Sequence, residues 1–162
     1  MDTIKREYGN VTSENGFYIG DPCWVLSDEV YHDIWGDNYF FKDGIIETKY
    51  GNFIVQSTFY GDGNFNSSVG NLRVESGTIA IIPTKLIDEK KVKELNSIND
   101  VGALVLGTEA ELIWLGTEAN KYKPFEHVVG EFVINLKNPD YSVKIPIGEV
   151  IKNDESGVRK GL

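Results

Sequence analysis

The stretch IIETKYGNFIVQSTFY, residues 45–60, decides the fold. Two runs rich in β-branched and aromatic side chains, Ile45–Lys49 and Phe53–Tyr60, are joined through Gly51-Asn52, a pair suited to a hairpin turn. The same logic holds downstream. Leu72–Glu75 and Thr78–Ile82 read as strands with Gly77 between them, and Pro83 stops the second because it removes a ladder donor. Ala103–Leu106, Glu111–Leu115, Glu131–Leu136 and Tyr141–Ile147 continue the pattern, and Phe17-Tyr18-Ile19-Gly20 supplies a first strand ended by Asp21-Pro22.

Two segments break the strand pattern. Residues 27–35 start with Ser27 as N-cap and Asp28-Glu29 at the positive end of a helix; Val30 with Ile34 and Tyr31 with Trp35 stand four apart, and Gly36 closes the run. Asp88–Asn96 places Val92 and Leu95 on one face among lysines. Residues 1–14 are polar and expected to be loosely held, residues 37–44 form a polar and aromatic connection, and residues 153–162 read as a frayed tail. No linker separates two halves. The prediction is a mainly β (α+β) single domain over residues 1–152: a β-sandwich or partly closed barrel of about eight strands with two short outer helices.

Composition agrees with a packed domain. The 162 residues are 41% hydrophobic and 12% aromatic, more bulky apolar material than a disordered chain carries, and 17 glycines suit many tight turns. The lone Cys23 allows no intrachain disulfide, and the N-terminus lacks the apolar region of a signal peptide. No apolar run reaches the roughly 20 residues that cross a bilayer, so a cytoplasmic setting is expected, that of a host cell for a phage-encoded chain. The net charge of −9 argues against binding nucleic acid through its phosphates and against anionic membranes. It favours solubility, or an acidic face that meets a basic protein partner.

Chemical motifs fail on inspection. Asp62-Gly63-Asn64-Phe65-Asn66 begins like a calcium loop, but the sixth and twelfth positions carry Ser67 and Arg73 where Gly and Glu are needed. A Gly/Asn-rich hairpin turn explains it better, with a calcium site of another type as the alternative. One cysteine and two histidines, His32 and His127, fall short of a zinc set. Cys23 precedes a predicted helix start, where a thiolate is favoured, yet Trp24-Val25-Leu26 follow and favour a buried structural thiol. The chain has no G-x-S-x-G, no P-loop and no G-x-G-x-x-G. No metal and no cofactor are expected. Leu106–Ala110 (LGTEA) recurs as Leu115–Ala119, which reads as two similar turns at opposite ends of one strand.

Two segments taken together carry a resemblance: Tyr18-Ile19-Gly20-Asp21-Pro22-Cys23-Trp24, and Thr58–Phe65 followed by Val74-Glu75-Ser76-Gly77. Their order resembles a family of small uncharacterised bacterial and phage proteins with a D-P-C-[YW] element after the first strand, then [YW]-G-D-G and an acidic-Ser/Ala-Gly element. Trp24 and Glu75 stand where Tyr and Asp are usual. The resemblance spans residues 16–87 and implies a small β-rich fold and a mobile-element origin, not a reaction.

Asp21, Asp62 and Ser76 fall at strand ends. Convergent ends would make a polar site edged by Trp24 and Tyr60, with Cys23 and Asn64 beside it. Three functions follow as expectations. The first is a non-catalytic binding protein, in its most concrete form a phage or mobile-element inhibitor that sequesters a host defence protein or its signal. The second is a small-molecule or nucleotide module using the aromatic rim. The third is a metal-dependent hydrolase using Asp21 and Asp62. Oligomeric state is not decided by the sequence.

Overall fold

A computed structural model describes residues 3–35, 43–119 and 128–148. The strands are β1 (Ile4–Thr12), β2 (Phe17–Gly20), β3 (Gly44–Thr48), β4 (Gly51–Ser57), β5 (Gly63–Ser67), β6 (Gly70–Val74), β7 (Thr78–Pro83), β8 (Ala103–Val105), β9 (Glu109–Gly116), β10 (Gly130–Lys137) and β11 (Tyr141–Ile147). The helices are α1 (Asp28–His32) and α2 (Glu89–Val92), with single 3-10 turns at Pro22–Trp24, Thr84–Leu86 and Ile98–Asp100. All pairings are antiparallel: a four-stranded sheet β1-β9-β10-β11, a five-stranded sheet β3-β4-β7-β2-β8, and the hairpin β5-β6. Among the described residues no sheet closes into a barrel; the sandwich alternative holds.

Strand alternation explains the layers. In the five-stranded sheet Ile19, Ile54, Ile79 and Ile81 point into one core, which they share with Leu112, Trp114, Phe132, Ile134, Val143 and Ile145 of the four-stranded sheet. Tyr18, Phe53, Val55, Ala80 and Ile82 point the other way, into a second core capped by Val30 and Ile34 from the α1 segment and by Val25 and Leu26. The central strands read as nearly unbroken apolar runs because both of their faces are buried. The two cores share one sheet, so they belong to one domain. Ser68 N–H donates to Lys144 O at 3.0 Å and Arg73 N–H to Val101 O at 2.8 Å, which ties the β5–β6 hairpin to β11 and to the turn that leads into β8.

The structure corrects several expectations. There are eleven strands among the described residues, not about eight. Residues 4–12 are a paired strand rather than a loose terminus. A bulge between Glu7 and Gly9 shifts the register, so the inward residues run Ile4, Arg6, Tyr8 and then Val11, which hides the alternation. The β3–β4 turn is Lys49-Tyr50, with Thr48 opposite Gly51, not Gly51-Asn52. β6 pairs with β5 and β7 with β2 and β4, so the two strands around Gly77 do not form a hairpin with each other. Ser27 caps α1, its Oγ accepting from Val30 N–H at 3.3 Å. α1 and α2 end earlier than their sequence patterns, at His32 and Val92. Gly36, most of the 37–44 connection, His127 and the 153–162 tail lie outside the described residues.

The LGTEA repeat forms two turns that flank β9, as its spacing implies. Thr108 N–H donates to Lys137 O and Thr117 N–H to Val129 O, both at 2.9 Å, so each threonine grips one end of β10. Beside the second turn Gly116 faces Gly130 under the Trp114 ring. A Cβ on Gly116 would lie 2.5 Å from Val129 O and 2.7 Å from Trp114 Cζ2. Gly116→Ala is therefore expected to cost about 1–3 kcal/mol in urea unfolding, as overpacking does.

Candidate functional site

The site is built on a buried carboxylate. Asp21 follows β2, caps the 3-10 turn and is fully buried. Its Oδ1 accepts from Cys23 N–H and Ser76 Oγ–H, both at 2.8 Å, and its Oδ2 accepts from the N–H groups of Glu75 and Ser76, both at 2.7 Å. Pro22, with its fixed φ, starts the 3-10 turn that presents the Cys23 amide. Ser76 gives its only proton to Asp21, so at 2.6 Å the Thr78 hydroxyl donates to Ser76 Oγ. Below, Tyr18 Oη donates to Asp21 O at 2.9 Å, and burial pushes that phenol far above its ordinary value.

The Thr58–Asp62 segment joins from the side. Thr58 Oγ1 accepts from Tyr60 and Gly61 N–H and donates to Gly61 O at 2.8 Å, while Thr58 N–H donates to Gly77 O at 3.0 Å. The turn holds Phe59 at φ 63, a left-handed conformation that costs a side chain energy. The ring recovers that cost by stacking on Phe132 at 5.7 Å and meeting Trp114 edge-on at 5.1 Å. Gly77 also has positive φ, 72°, and a Cβ built there would lie 3.8 Å from Asp62 Oδ1. The three sequence elements around Asp21, Gly61 and Ser76 are thus parts of one interlocked corner.

The rings at this corner are engaged rather than open. Trp24 Nε1–H donates to Arg73 O at 2.8 Å, and the Arg73 guanidinium lies over the indole, 5.1 Å from its centroid, while pairing with Glu75 at 2.9 Å. Tyr60 meets Phe65 edge-on at 6.0 Å. Asn64 is exposed on β5 and its Oδ1 accepts from Asn71 Nδ2 at 3.2 Å. Residues 63–67 are therefore a strand, not the turn expected there. Asp62 is exposed, and so is His32 on α1. Among the described residues no group of three or more His, Cys, Asp or Glu is placed to hold a metal ion.

Cys23 lies inside the 3-10 turn, half-buried. Burial first, then the Asp21 carboxylate, pushes its thiol well above the ordinary 9.0. The native chain holds this proton more tightly than the unfolded chain. Its contribution to stability is complete below about pH 9 and is lost as pH rises further. Alkylation of Cys23 at about pH 8 is expected to run at least about tenfold slower in the native chain than in urea; equal rates would contradict the burial described.

The sequence missed Tyr18, Arg73 and Thr78 as members of this corner. Tyr18 opens the first motif segment and Thr78 follows the last; the pairing of β2 with β7, and of Thr78 with Ser57 on β4, brings them to the corner. No helix among the described residues is long and apolar enough to cross a membrane. Comparison with family models, with curated proteins and with solved structures returns no match.

Proposed function

We propose that the protein is a non-catalytic binding module whose recognition surface is the rim held by Asp21. The observation that carries this reading is the filling of both Asp21 oxygens by four donors from two separate loops. A carboxylate used this way has no lone pair directed at a metal or a water, which speaks against the hydrolase reading. It does join the turn that carries Trp24 to the loop that carries Glu75, with Arg73 bridging the two, and preorganised surface residues bind without the entropy cost of ordering them.

A net charge of −9 and the exposed Asp62 and Glu75 favour a basic protein partner. The concrete form is a small acidic inhibitor, encoded by a phage or mobile element, that sequesters a host defence protein in the host-cell cytoplasm. Size, acidity and the motif resemblance support that form. The test is affinity capture from bacterial lysate with the wild-type chain and with the double charge reversal Asp62→Lys, Glu75→Lys. A basic protein held by the first and lost by the second is expected. Identical capture by both chains would remove the rim from the interface.

A further inference from the structure

We propose a second site, a groove divided by Lys85 that binds a nucleoside phosphate or a chemically similar phosphorylated ring compound. One half is a cavity of about 480 Å³ between α1, the Lys49-Tyr50 turn and the start of α2, lined among others by Tyr50, Lys85, Leu86 and Lys90. The other half, about 340 Å³, lies across Lys85 and is lined by Asn10, Thr12, Asn52 and Pro83. Both volumes fall in the range of about 300–1,000 Å³ typical of small-molecule sites. The groove shares no residue with the Asp21 rim.

Cations and a ring converge there. The Lys85 stem lies across Gly51, where a Cβ would come within 3.2 Å of its Cε and 3.6 Å of its Nζ. Among the described residues Lys85 and Lys90, like Lys5, Lys93 and Lys144, have no carboxylate within ion-pair distance, whereas Lys49, Lys91, Lys137 and Arg73 each have one; of the five, only Lys85 and Lys90 line the larger cavity. In a chain with 25 acidic residues against 16 basic ones, two unpaired ammonium groups beside a cavity suit an anionic ligand.

Two acids, Glu29 and Asp88, line the same cavity, and each has a partner. Glu29 pairs with Lys49 at 3.1 Å and accepts from Tyr50 Oη at 3.4 Å, and Asp88 Oδ1 accepts from Lys90 N–H at 3.1 Å. The Tyr50 ring is 49% exposed yet fixed, by its hydroxyl on Glu29 and by the Lys49 ammonium 5.1 Å from its centroid. A fixed, half-open ring beside free ammonium groups matches the two ends of a nucleoside phosphate: planar base and anionic tail.

Isothermal titration of the full chain with ADP and GDP tests this, with adenosine and inorganic pyrophosphate as separate arms. Saturable binding of ADP or GDP is expected, with adenosine and pyrophosphate each at least about tenfold weaker. Lys85→Gln should weaken nucleotide binding about tenfold or more and Tyr50→Leu about fivefold, both with the wild-type melting temperature. Lys90→Gln gives a second reading of the cationic half. No saturable heat at millimolar ADP and GDP, or binding untouched by both lysine variants, would overturn the proposal. Pyrophosphate binding as tightly as ADP would remove the ring from the site and overturn it too. The Asp62→Lys, Glu75→Lys chain should bind nucleotide normally, which separates failure of this site from failure of the rim.

Discussion

Asp21→Ala is expected to lower stability by at least about 3 kcal/mol, because it leaves three backbone amides and the Ser76 hydroxyl without their acceptor in a buried corner. In a chain of this size that is a fall of roughly 6–12 °C in melting temperature. Asp21→Asn sharpens the prediction. It preserves the shape but replaces one acceptor oxygen with an NH₂ group that faces other donors, so it should lose most of the same stability. Ser76→Ala removes one hydroxyl and should cost about 1 kcal/mol. Urea unfolding of the three variants checks the order. An Asn variant as stable as wild type would mean that the carboxylate is not what holds the loops.

The second large effect is in the core between the sheets. Trp114 is wholly buried, meets Phe59 and Phe132 at 5.1 and 5.0 Å, and donates its indole N–H to Thr117 O at 3.0 Å. Trp114→Ala should cost about 3–5 kcal/mol, the range for emptying a large aromatic site. The damage should reach the Asp21 corner as well, because Phe59 is held in its left-handed conformation by packing on this ring. Trp114→Phe keeps most of the contact area and is expected to be clearly milder. A loss below about 1 kcal/mol for the Ala variant would contradict the packing described.

The architecture was legible where one principle acted alone. Residues 45–60 read as two strands because β3 alternates buried and exposed residues and Phe53-Ile54-Val55 of β4 form an apolar run buried on both faces. Ser27 read as a cap because its hydroxyl does only that. β1 was not legible: an edge strand buries only alternate residues, and the bulge at Tyr8 changes which residues alternate.

Four turns share one sequence signal. Ser13-x-x-Gly16, Thr48-x-x-Gly51, Thr58-x-x-Gly61 and Ser67-x-x-Gly70 are the same device. In each the hydroxyl accepts an N–H two residues on and donates to the carbonyl of a glycine with positive φ. Read as a set, they locate two hairpin turns that glycine spacing alone misplaces.

At the candidate site, Asp21 and Ser76 were legible as strand-end polar residues. Their direct bond was not, because it joins residues 55 apart. Nor was the covering of Trp24 by Arg73, which depends on how the β5–β6 hairpin folds back.

The central claim is that Asp21 locks the two loops into one rigid corner. Amide hydrogen exchange of Glu75 and Ser76, followed by NMR in the wild-type chain and in Asp21→Asn, tests it most directly. Protection of both amides close to that of the β4–β7 ladder, falling by at least about 100-fold in the variant, is the predicted result. Exchange of Glu75 and Ser76 at the rate of an exposed turn in the wild-type chain, while the ladder stays protected, would contradict it.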